Sequence, residues 1–297
     1  SDAEVVTTGH TTGLKILTTT VENAIGSDEY GTIVYKVEAQ DCQRMCAGRT
    51  NAKAVTLSFW AKSKVAGDYA ISMYQQDGDE IIGSKYTLVA DTWTKVEITF
   101  AGNTSANIND DSGLGLMFKW ILFAGSDWTS SSNTSWSASA NAKIGYGHTA
   151  VWGTSTSHDF YLTGVQLELG SNATPFEHRS YGDELARCQR YFQTYNPTQQ
   201  QLVYNEGNPA THKFTMFYIM NPMRAAPSVS LANLSTGSGV GGLSGTVSSV
   251  TLSSSPVPNP PCILSCRVNM STSTGTARYM YHADLWANDP LEYSAEL

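Results

Sequence analysis

"GVQLELGSNATPFEHR", residues 164–179, begins as a strand and ends as something else. Val165, Leu167 and Leu169 alternate with Gln166 and Glu168, so one face is apolar and the other polar, the signature of a half-buried β-strand. "GSNATP" then breaks the period with turn residues, and Glu177, His178 and Arg179 follow side by side. Acid, imidazole and guanidinium together raise the question of active-site chemistry. A chain leaving a sheet raises the plainer question of a junction. Read from further back, "DFYLTGVQLEL" (159–169) shifts its apolar phase at Thr163-Gly164, where a β-bulge is expected.

Period-2 runs recur upstream at "AVTLSFW" (54–60), "DYAISMY" (68–74), "TKVEITF" (94–100) and "LGLMF" (114–118), with turn signals such as "QDGDE", "VADT" and "AGNTS" between them. Short strands punctuated by Gly, Asn, Asp and Ser predict an all-β chain folded as a β-sandwich or jelly roll. One helix is expected, "SYGDELARCQRYF" (180–192). Ser180 is its cap, Asp183 and Glu184 occupy the first turn, and Arg187 and Arg190 lie toward the end, all in accord with the helix dipole. Tyr181, Leu185, Cys188 and Phe192 form its apolar stripe. Further strands are expected at 213–219, 262–269 and 276–285. The organisation is a jelly-roll domain over 1–180, a connecting helix over 181–195 and a second, smaller β domain over 196–297.

Composition narrows the partners. Charged residues are 15% of the 297, the polar share falling instead to Ser, Thr, Asn and Gly, which suits short strands and tight turns. A net charge of -8, with only 18 Lys and Arg, argues against a nucleic-acid partner. No apolar run approaches the roughly 20 residues that span a bilayer, so no membrane insertion is expected. The chain opens at Ser1 rather than Met, which points to processing or to numbering inside a longer product.

Cys42/Cys46 and Cys262/Cys266 share a C-x-x-x-C spacing, and Cys188 stands alone. Zinc sites favour C-x₂-C with nearby histidines, and a strand through "PCILSCRVN" parts its two sulfurs by roughly 13 Å, beyond disulfide reach. Reduced thiols in a reducing compartment are expected. "GSGVGG" (237–242) satisfies G-x-G-x-x-G, yet the β-branched, Ser-rich "LSGTVSSVTLSSS" after it is unsuited to the helix a dinucleotide site needs, so the stretch reads as a loop. No G-x-S-x-G, Walker A or H-E-x-x-H is present. No pair among the acids is singled out for glycan hydrolysis, so neither enzyme activity nor a cofactor is expected. The acids of "QDGDE" (76–80) and "NINDDSG" (107–113) suit a structural calcium or, equally, local turn bonding.

Aromatic supply is the stronger signal. Trp128, Trp136, Tyr146, His148 and Trp152 fall in a weakly patterned stretch rich in Ser, Thr and Asn. Rings set among short polar groups suit sugar recognition, and equally they plug a core. Trp60 and Trp93, on or beside strong strands, read as structural.

Several blocks in order, "TLSFWAKS", "DTWTKVEITFAGNT", "GLGLMFKW" and "GVQLELGSNATPFEHRSYGDELARCQRYF", resemble a carbohydrate-binding-module type jelly roll found in bacteriophage tail fibres, tail spikes and other appendages. The resemblance runs from about residue 54 to 192. "NPMRAAPSVS" and "ADLWANDPLEYSAEL" are similar to the small β domain that often follows it, while "SDAEVVTTGHTTGLKILTTT" departs from the usual opening. The resemblance implies a homotrimeric virion-surface protein that associates with other virion proteins and holds host polysaccharide, or a purely structural head-decoration or fibre-base component. It also implies that Phe176, Glu177 and Arg179 form a structural junction: Phe176 packs under the sandwich, Glu177 and Arg179 tie the exit turn, and His178 has no titrating role.

Overall fold

Alternation of side chains across a pleated backbone makes each period-2 run a strand, and the computed structural model sets their limits: β1 Leu14–Leu17, β2 Tyr30–Glu38, β3 Val55–Ser63, β4 Gly67–Gln75, β5 Glu80–Leu88, β6 Thr94–Phe100, β7 Leu114–Ala124, the two-residue β8 Ser137–Ala138, and β9 Asp159–Leu169. The structure describes residues 3–195 and 223–224, and beyond them the backbone of seven strands: Lys213–Met220, Ser228–Ser230, Leu234–Thr236, Val247–Leu252, Cys262–Met270, Leu285–Ala287 and Leu291–Ser294. Two units are present, Ser1–Glu177 and His178–Glu296.

In the first unit one sheet runs β1-β9-β3-β6 and the other β2-β7-β4-β5-β8, all antiparallel. The pairings are nested. β4 pairs β5, β3 pairs β6, β2 pairs β7 and β1 pairs β9, as in a long hairpin rolled into two sheets, which is the jelly-roll order. Between the sheets lie Trp120, Tyr69, Phe59, Phe100, Phe118 and Phe160, all fully buried. Phe59 sits edge-on to both Tyr86 and Trp120, with centroids 5.2 and 5.7 Å away. Each such side chain contributes about 1.5–3 kcal/mol by leaving water.

The bulge expected near Thr163-Gly164 is present. Ser58 pairs with Gln166 and Trp60 with Thr163, so two residues of β9 oppose Phe59 alone. Gly164 supplies the left-handed φ of +59° there, and a Cβ on it would overlap the His10 ring.

In the second unit the helix is Tyr181–Gln189, capped by Ser180 Oγ, which accepts from the Asp183 N–H at 3.2 Å. It is shorter than the predicted span. Phe192 belongs instead to the strand Phe192–Tyr195, because "FQTY" pairs with Leu291–Ser294, and that tertiary pairing outweighs the helical stripe. Lys213–Met220 and Cys262–Met270 match two further predicted strands and pair antiparallel. The strand predicted over 276–285 lies outside the described residues apart from Leu285, and the loop 237–242 lies outside them altogether. Among the described residues no helix is long and apolar enough to cross a membrane.

Candidate functional site

The outer face of the five-stranded sheet is roofed. Along β4, Tyr69, Ile71 and Met73 enter the sandwich core, so Ala70, Ser72 and Tyr74 face outward. On β7 the outward residues are Met117, Lys119 and Ile121; on β5 they include Ile81 and Gly83. The segment after β7 covers part of this face. Ile144 and Trp128 pack on Ala70, Ile81 and Ile121. At the edge of β5, the Gly83 N–H donates to the Asn133 carbonyl at 2.7 Å, and the buried Asn133 side chain fills the space a Gly83 Cβ would take. Asn133 Nδ2 then donates to the Lys143 carbonyl at 2.6 Å, closing the roof on itself.

The five aromatic candidates all lie on this segment, in different roles. Trp128 is half-buried: its ring tilts over Tyr30 at 4.0 Å, and Nε1 donates to the Asp28 carbonyl at 2.8 Å. Trp136 is tied elsewhere, its Nε1 donating to the Ala101 carbonyl at 2.7 Å. Trp152 is buried in the sandwich core and presents no face to a ligand. Tyr146 is exposed. None of the five rings stacks on another, so they do not make a single platform. Trp60 and Trp93 are half-buried, Trp93 lying 5.9 Å from the Tyr161 ring.

His148 works as a sheet plug. The β4–β7 ladder stops at Ile71↔Trp120, and His148 Nδ1 accepts the next N–H, that of Ala70, at 3.2 Å. That acceptance leaves the proton on Nε2, which donates to the Ala150 carbonyl at 2.7 Å. Burial lowers its pKa below the usual value, against the opposing pull of the Ala150 and Leu122 carbonyls. The neighbouring Asp68 is held below the ordinary carboxylate range by hydrogen bonds from Lys85, 2.6 Å away, and Thr87.

At the junction, Phe176 and Glu177 make local contacts, and Gln166 and Glu168 of β9 join them. The Glu177 backbone N–H, not its carboxylate, bonds to Gln166 Oε1 at 2.7 Å. Glu168 holds the exit turn, accepting from the Thr174 N–H at 3.0 Å and from its hydroxyl at 2.5 Å. Arg179 reaches forward to Glu184 at 3.3 Å instead of back to the turn. Phe176 packs edge-on against His10 at 4.7 Å. Alternation already placed Gln166 and Glu168 on the polar face of β9, the one sequence signal that marks them.

The chain matches no family model and no curated protein. Function therefore rests on the site's own chemistry. Acids of the two candidate calcium turns are engaged locally: Asp77 with the Asn109 amide at 2.7 Å, Asp111 with the Gly113 N–H at 2.8 Å, Asp79 with the Tyr74 hydroxyl at 3.0 Å. No group of three or more metal-ligating side chains occurs among the described residues. Cys42, Cys46 and Cys188 are free thiols. Burial, with the Asp41 charge behind it, pushes the Cys42 thiol up to about 12, which makes it a packing residue. Cys262 and Cys266 stand on one strand, opposite Met220 and Met216.

Sequence reasoning missed Lys119. It stands on the outward face of β7 between Val34 of β2 and Ser72 of β4, half-buried, with no carboxylate paired to it among the described residues. Ser72 is fully buried, and its hydroxyl has no hydrogen-bond partner there.

Proposed function

We propose that the chain is a non-catalytic appendage protein of a bacteriophage virion, a tail fibre or spike component, whose first unit holds host cell-surface polysaccharide. The jelly-roll order carries the reading, together with the exposed Tyr146 on the Ser- and Asn-rich segment that roofs one sheet face. The sequence blocks that resemble phage appendage modules support it, and those blocks include β3, β6, β7 and β9. Individually weak sugar contacts gain avidity when a homotrimer displays several copies. Attachment to neighbouring virion proteins belongs to the same reading.

A second reading has its own support. Trp128, Trp136, His148 and Trp152 all serve the fold through burial or backbone bonds, as expected of a purely structural virion component. Glycan-array and whole-cell binding by the purified chain separates the two, with oligomeric state measured by light scattering. Saturable binding, competed by free polysaccharide and weakened at least severalfold by Tyr146→Ala, supports the first. A folded oligomer that binds neither cells nor glycans leaves the second.

A further inference from the structure

We propose that the far end of the roof is a proton-operated latch: His148 holds the turn 145–149 against β4 while its ring is neutral, and uptake of one proton releases that turn. The inference stands apart from the glycan-binding reading, although the exposed Tyr146 is carried on the turn released. Three bonds fasten the turn to the backbone of β4. His148 Nδ1 accepts the Ala70 N–H at 3.2 Å, the Asp68 carbonyl accepts the Thr149 N–H at 2.9 Å, and Thr149 Oγ1 accepts the Asp68 N–H at 3.0 Å. Within the turn, the His148 N–H donates to the Gly145 carbonyl at 3.0 Å and Gly147 takes a φ of +78°, so 145–148 is a closed unit. On either side the chain is anchored, by Ile144 under the roof and by Ala150 and Trp152 in the sandwich core.

Only one of the three bonds depends on charge. A neutral imidazole with its proton on Nε2 offers Nδ1 as an acceptor, whereas an imidazolium carries a donor on both nitrogens and meets the Ala70 N–H head-on. Turning the ring over gives no escape, because Nε2 is bound to the Ala150 carbonyl at 2.7 Å. The buried Ala70 amide is then left without its acceptor, which is costly. The groups around the ring set the direction. From β4, Asp68 favours the charged form, but its carboxylate is already engaged by Lys85 and Thr87 of β5. Tyr69, held neutral by burial, lies edge-on at 5.6 Å. On β7 the Leu122 carbonyl favours the charged form, and Lys119 is the charged residue on the roofed face. In the roof, Lys143 is tied to Ser137 and Ala138. Burial outweighs the favourable terms and lowers the pKa of the closed state below 6.5, the value an imidazole regains once the turn lifts into water. The open form therefore takes up the proton first, and acid favours opening.

The test is native-state hydrogen exchange on the full chain, read as protection factors so that the pH dependence of the exchange chemistry itself drops out. At pH 7.5 the Ala70 and Thr149 amides are expected to be less protected than Leu57 and Phe59 of β3, and to respond little to about 1 M urea, as local opening exposes little surface. Opening should grow by up to about tenfold per pH unit below 6.5. Protection of Ala70 and Thr149 should therefore fall severalfold by pH 5, levelling off where the imidazole nitrogen shifts show His148 becoming charged. His148→Gln, which keeps an acceptor and a donor without titrating, should remove the pH dependence. If that variant does not fold, the wild-type imidazole comparison decides alone. Ala70 protection equal to that of β3 at every pH would mean that the turn opens only with the whole unit. A fall in protection while His148 stays neutral, or one retained in His148→Gln, would assign it to another group. Each of these results overturns the latch, as do nitrogen shifts that place the neutral ring's proton on Nδ1.

Discussion

The two outer faces of the sandwich are built from the same alternation but spend their polar groups differently. On the face of β1-β9-β3-β6 the charged groups are engaged. Lys95 lies 2.6 Å from Glu97, Glu168 is bound to Thr174, and the ammoniums of Lys15 and Lys62 stand 4.9 and 5.1 Å from the Tyr161 ring. On the face of β2-β7-β4-β5-β8 a roof buries apolar residues that would otherwise be wet, and beside it stand Lys119 unpaired and Ser72 unmet. Among the described residues, buried polar atoms without a hydrogen-bond partner stand on both, Trp93 Nε1 and Asp159 Oδ1 on the first and the Ser72 hydroxyl on the second, and the second adds the unpaired Lys119.

Several changes break or sharpen the contrast. The shared core comes first: Trp120→Ala should cost about 3–5 kcal/mol, seen as a large fall in the urea midpoint, because both faces depend on it. Gly83→Ala acts on the roofed face alone. The new methyl displaces Asn133 and strands the Lys143 carbonyl, so a loss of about 1–3 kcal/mol is expected. Amide exchange should then quicken across 131–145 while β3 and β9 stay protected; uniform quickening would mean that the roof and sandwich are one cooperative unit.

His148 offers a pH handle on the same face. Its folded pKa lies below the unfolded value of 6.5, so the unfolded chain takes up the proton first. Its stabilising effect is complete above pH 6.5 and is lost as pH falls from there through the folded value. Unfolding titrations between pH 7.5 and 5 should show this loss, and His148→Gln, which keeps an acceptor and a donor but does not titrate, should flatten it. The smallest effect belongs to the other face: Lys95→Ala should change stability by less than about 1 kcal/mol, since both partners are nearly half exposed. A larger loss would show that its surface pairs matter more than their exposure allows.

How much was legible follows the same divide. β9 was readable to the residue, Asp159–Leu169, because its two faces differ in polarity along their length. β7 was read only as far as Phe118. Beyond it, Trp120 and Leu122 point into the core while Ile121 is buried under the roof, so "WIL" loses the alternation that identifies a strand. β5 was missed for a related reason: Ile81 and Ile82 are buried on opposite faces, and Gly83 is small to admit Asn133. At the candidate site, composition pointed to aromatic residues, yet composition cannot tell a ring that meets solvent from one whose N–H is tied to a backbone carbonyl. Lys119 carried no signal, because its meaning lies in the absence of a partner, which only the sheet register reveals.

The nested strand order also sets a timetable. The pair β4–β5 closes across a short turn at Gln75↔Glu80, whereas β1 meets β9 at Leu14↔Leu162, across nearly the whole unit. Loop-closure entropy rises with each shell, and sheets dominated by distant pairings fold in milliseconds to seconds. Folding should therefore zip outward from 67–88, with the roof segment waiting as slack until β9 docks. Pulse-labelled hydrogen exchange would show protection arriving first in β4 and β5 and last in β1. Simultaneous protection would mean that collapse, not zippering, sets the pace.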